Sequence, residues 1–144
     1  MLKCVLRTFV CCCAISASSS SLVGNDAQRV FNAGSEELRV IVSECNDRIK
    51  DITQRCIPQI RRLLAGGHQS EAAHLAFQCV TEIRETVRRS TIRIEVLCSR
   101  VINRLLELGA PNLARRFHDR CLKGQASISN AGQRAEHAIR SLFN

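Results

Sequence analysis

CIPQIRRLLAGGHQSEAAHLAFQC, Cys56 to Cys79, holds two cysteines on either side of a central Gly66-Gly67. In an antiparallel helical hairpin, facing residues have numbers with a constant sum set by the turn. Cys56 and Cys79 sum to 135, which centres the hairpin between Gly67 and His68, where glycine signals a helix end. A second stretch, CSRVINRLLELGAPNLARRFHDRC, runs from Cys98 to Cys121 with the same length and a sum of 219. It centres on Gly109-Ala110, just before Pro111, a residue favoured at the first position of a helix. Both follow the template Cys-x3-Ile-x-Arg-Leu-Leu-x2-Gly-x11-Cys, offset by 42 residues, or six heptads, so the same helix face recurs. The pattern predicts a duplicated helical hairpin sharing its middle helix, with disulfides Cys56–Cys79 and Cys98–Cys121.

Rotation supports that pairing. At about 100° per residue, Cys79 and Cys98 differ in direction by about 100°, so one can face the first helix and the other the third. Outward from the cysteines, Leu38, Ile41, Cys45, Ile49, Ile52, Cys56, Ile60 and Leu63 recur at steps of three and four, the mark of one buried helical stripe. Leu75, Cys79, Ile83, Val87, Ile94, Cys98, Val101, Leu105 and Leu108 form a second stripe. Leu113, Phe117, Cys121, Ile128, Ala135, Ile139 and Leu142 form a third. No strand-like alternation occurs. The expected fold is all-α, an antiparallel three-helix bundle over residues 35–144, with helices at about 35–65, 70–108 and 111–142.

Ser35 and Ser70 are expected as N-caps. Pro58 should kink or split the first helix, and the length of the second allows a bend near Arg88–Thr91. Gly124–Gly132 is poor in helix formers, so the third helix either frays there or presses closely on its neighbours. Residues 21–34 are expected to be a flexible N-terminal segment.

Residues 1–20 read as a secretory signal peptide. Lys3 and Arg7 give a basic start, Thr8–Ala17 a short apolar run, and Ser18–Ser21 small residues suited to cleavage between positions 17 and 20. The alternative is an acylated N-terminus using Cys4 and Cys11–Cys13. A secreted, extracellular location follows from the signal reading. Of 21 Lys and Arg, losing Lys3 and Arg7 leaves 19 against 13 Asp and Glu, a formal charge of +6. Five of the nine cysteines remain after cleavage. Cys45 is left over, expected as a buried thiol near Ser90 and Ser129, or as the link in a Cys45–Cys45 dimer.

On the second helix, Arg89, Arg93, Arg100 and Arg104 fall within about 60° of each other, away from the core, and form a candidate anion-binding stripe. Arg61-Arg62 and Arg115-Arg116 add cations near the two turns. Some of this charge is expected in i,i+4 pairs, namely Glu44/Arg48, Asp51/Arg55 and Glu85/Arg89. Glu71/His74 and His118/Cys121 lack the four convergent ligands of a zinc site, so neither metal nor cofactor is expected. No phosphate loop, nucleophile elbow or paired-carboxylate motif occurs, so the chain does not read as an enzyme.

The expected partner is an extracellular protein or an anionic glycan. Nucleic acid is not expected without stacking aromatics, nor a membrane surface without interfacial Trp or bulky exposed apolar groups. Two alternatives stand beside this surface-binding reading. One is a carrier holding a small apolar ligand near Ala126–Gly132, and the other is a cationic, membrane-active defence protein.

Overall fold

A computed structural model describes residues 16–144. Three helices, α1 (Ser16–Ala65), α2 (Gln69–Glu107) and α3 (Pro111–Arg140), pack against one another, and a 3-10 turn, Ser141–Phe143, follows. No strand occurs among the described residues. Disulfides join Cys56 to Cys79 and Cys98 to Cys121, each across a Cα–Cα distance of 6.4 Å. The all-α, antiparallel, doubly stapled bundle is therefore the fold.

Both hairpin turns are built alike. Gly67 and Gly109 adopt φ of +79° and +66°, which puts a left-handed residue just past the end of α1 and of α2. His68 N–H then donates to the Leu63 carbonyl and Gly67 N–H to that of Leu64. Ala110 N–H to Leu105 and Gly109 N–H to Leu106 repeat the pattern 42 residues later. This glycine-terminated cap satisfies carbonyls that a helix end otherwise leaves without donors. The turns fix which residues face each other, and the disulfides lie eleven residues back from each glycine.

Helix α1 begins earlier than its stripe suggests. Residues 21–34, expected to be flexible, are helical, and Ala27 and Phe31 in that segment are buried. Ala27, Phe31, Gly34 and Leu38 continue the core stripe by steps of four, three and four. Ser35 therefore lies inside the helix and caps nothing; its hydroxyl donates to the Phe31 carbonyl. Ser70 also lies within its helix, and the N-cap position belongs to His68, which makes no side-chain cap bond. The predicted signal segment lies outside the described residues as far as residue 15.

Pro58 does not split α1, which runs unbroken through it. Pro58 and Gln54 are both exposed, so the carbonyl that loses its intrahelical donor can turn to water. Helix α2 is likewise unbroken across Arg88–Thr91.

The glycine-containing part of α3 presses on its neighbours and does not fray. A Cβ on Gly124 would lie 3.1 Å from Leu38 Cδ1, and one on Gly132 would lie 2.8 Å from Val87 Cγ2. Gly34 of α1 has the same role, since its Cβ would stand 2.8 Å from Val101 Cγ2 and 3.0 Å from the Phe117 ring. Gly34/Val101 and Val87/Gly132 obey the hairpin sums of 135 and 219. The core between the helices is aliphatic: Ile52, Ile60, Ile83, Ile94, Leu105, Ile128 and Ile139 are almost wholly enclosed. Each contributes about 1.5–3 kcal/mol by burial.

Candidate binding surface

The four stripe arginines are exposed on α2, but each already holds a carboxylate. Arg93 Nη1 lies 2.7 Å from Glu44 and Arg100 Nη2 lies 2.6 Å from Glu37, both on α1. Arg89 pairs with Glu85 at 2.7 Å and Arg104 with Glu107 at 3.0 Å. The stripe follows the α1/α2 seam, and the acids of α1 meet it there. Two expected pairs within α1 are consequently absent. Arg48 and Arg55 both turn to Glu82 of α2, and Glu44 reaches across to Arg93. Only Glu85/Arg89 forms as expected, and Arg88 joins it at 2.8 Å. Hydrogen bonds from Arg88 and then Arg89 lower the Glu85 carboxyl to about 2. Solvent-exposed pairs of this kind contribute little to stability individually. They give each of the stripe's cations a carboxylate of the chain's own that an external anion would have to displace.

A shallow groove of about 440 Å³ opens beside this network, lined by Arg48, Phe77, Thr81, Glu82 and Arg89 among others. Phe77 is 70% exposed, an aromatic ring displayed with no core to bury it.

The seam between α1 and α3 differs. Arg120 Nη1 donates to the Ser35 hydroxyl oxygen at 2.7 Å. The guanidinium groups of Arg120 and Arg116 stack over the Phe31 ring, 4.6 Å and 5.2 Å from its centroid. Phe31 in turn meets Phe117 edge-on at 6.1 Å. These contacts hold both arginines in place without any carboxylate. Among the described residues, ion pairs join α1 to α2 and α2 to α3, but none joins α1 to α3.

No protein-family profile, curated protein or solved structure matches the chain.

Cys45 is buried, 2% exposed, and carries a free thiol. Burial pushes its pKa up, while a hydrogen bond with Ser90 and the charge of Arg93 oppose that shift. Ser90 is its neighbour as the hairpin sum predicts. Ser129 is not: it points to solvent, and Ile128 fills the core on that stretch of α3. Sums carried through two hairpins accumulate helical phase error, and one residue is about 100°.

The pairs considered for metal are engaged otherwise. Glu71 contacts His68 at 3.2 Å, His74 bonds Gln78, and Cys121 is in a disulfide. Two disulfides are characteristic of an oxidising, non-cytosolic compartment. Among the described residues no helix is long and apolar enough to cross a membrane.

Sequence reasoning noted Arg116 but missed Arg120, Lys123 and Arg134 as companions. The signal was present in their spacing along α3. A first helix that starts at Ser35 leaves out Phe31, the ring that fixes their direction.

Proposed function

We propose that the chain is a secreted, disulfide-stapled binding protein that acts through its outer surface and performs no catalysis. The observation that carries this reading is the closeness of the helices at Gly34, Gly124 and Gly132. Where a carrier would need space, near Gly132, the Val87 and Ile83 side chains already stand. A filled and stapled interior leaves the exterior as the part offered to a partner. The exterior is rigidly displayed, because both turns and both disulfides fix the helix faces. Rigid faces limit the ordering entropy lost on association.

The test is saturation binding of the labelled, oxidised protein to cell surfaces and extracellular matrix, run beside the reduced, alkylated chain. Saturable binding that requires the disulfides supports the reading. Absence of saturable binding overturns it. So does one-to-one uptake of a neutral apolar dye, which would mark a carrier. Leakage of anionic lipid vesicles at the same concentration overturns it in favour of membrane action.

A further inference from the structure

We propose that the α1/α3 seam is an anion-binding surface for a linear sulfated polysaccharide. The proposal rests on the surface-binding reading and names its site and ligand class. Its basis is the way the charges are partitioned. The acids of α1 that bridge to another helix, Glu37 and Glu44, do so toward α2. Glu136 of α3 also turns to α2, binding Arg84. What remains along the third seam is basic. Arg116, Arg120, Lys123 and Arg134 on α3 are exposed, and none has a carboxylate partner.

Helical geometry aligns them. Arg134 follows Arg116 by eighteen residues, five full turns, and so repeats its direction. Lys123 follows Arg116 by seven, about 20° away. Because Arg116 reaches Phe31 on α1, that direction borders the α1/α3 seam. The cations therefore extend over about 27 Å at 1.5 Å per residue. Between them α3 presents Ser127 and Asn130, exposed and uncharged, which suit sugar hydroxyls. Asp119 is the nearest acid along α3, and it forms no ion pair with these groups.

The ligand class follows from the chemistry of the seam. Guanidinium groups make two-pronged contacts with sulfate oxygens. A chain of separated cations fits a polymer with repeating anionic groups better than one small ion. A nucleic acid would want exposed rings for its bases, whereas Phe31 is buried beneath its two arginines.

Calorimetry with the oxidised protein and a heparin octasaccharide at about 150 mM salt tests this, since exposed charge contacts are screened within about 8 Å there. Lys123→Gln with Arg134→Gln removes two seam charges that make no stacking contact with Phe31, so the fold is kept. Affinity is expected to fall on the order of tenfold, because each lost contact is a charge-assisted hydrogen bond. Arg93→Gln with Arg100→Gln removes the same net charge from the carboxylate-paired stripe, and is expected to change affinity by less than about threefold. Asp119→Asn is expected to tighten binding.

Equal losses in the two double variants would overturn the proposal by showing that net charge alone decides. Tighter binding of a DNA 12-mer than of the octasaccharide would overturn the glycan assignment. Saturable cell binding that survives heparinase treatment would overturn the seam proposal while leaving the surface-binding reading intact. Loss of cell binding after heparinase supports both.

Discussion

A Cβ placed on Gly132 would stand 2.8 Å from Val87 Cγ2, inside the distance at which carbon atoms pack. Val87 is β-branched and cannot easily swing away. Gly132→Ala is therefore expected to destabilise the oxidised protein by about 1–2 kcal/mol in urea, despite alanine's better helix propensity. Gly24→Ala is the matched control. Nothing lies within 4 Å of its Cβ, and stability should hold or rise by up to about 1 kcal/mol. A gain at both sites would show a loose α2/α3 seam.

The two hairpin glycines should behave as equals. Gly67→Ala and Gly109→Ala each force a side chain into the left-handed region, with an expected loss of about 1–2 kcal/mol apiece. Gly66→Ala should lose less, since Gly66 has no positive φ and its Cβ meets mainly the exposed His68 ring. Urea midpoints of the three variants check the ranking.

The hairpins were legible because cysteine and glycine report on geometry directly. Equal spacing about Gly67 and Gly109 encodes both disulfides, and the stripe from Leu38 to Leu63 encodes the face that carries Cys45 inward. The start of α1 was hidden for a physical reason. Its first core positions are Ala27, Phe31 and Gly34, two of them too small to register as a hydrophobic stripe. Gly34 reads as a helix breaker until Val101 and Phe117 are seen against it. The charge pattern was hidden because i,i+4 spacing competes with partners on other helices. Arg48, Arg55 and Glu44 all chose the other helix, and sequence separation along one helix cannot reveal that.

Acid should act on the Glu85 cluster late. Arg88 and Arg89 hold its folded pKa near 2, below the unfolded value of 4.5. A carboxylate lowered on folding stabilises the native state above the unfolded value, and that contribution is lost as pH falls toward the folded one. Carbon NMR of the Glu85 carboxyl should therefore show a midpoint near 2. Arg88→Gln should raise that midpoint.

Cys45 should react slowly. Its thiol is buried and its pKa is raised by burial, which lowers the thiolate fraction at neutral pH. Iodoacetamide should label it at once in guanidinium and only slowly in the native, oxidised protein. Rapid native labelling would mean that α1 opens around Cys45, and would favour a Cys45-linked dimer.

The stapled hairpin is tested most directly by mapping the disulfides of the purified, unreduced chain. Trypsin places each cysteine from Cys45 onward in its own peptide: 40–48, 56–61, 63–84, 94–100 and 121–123. Mass spectrometry of the unreduced digest should find 56–61 joined to 63–84 and 94–100 joined to 121–123, with 40–48 carrying a free thiol. Any linkage between the two hairpins, or 40–48 joined to another peptide within one molecule, would contradict the bundle described.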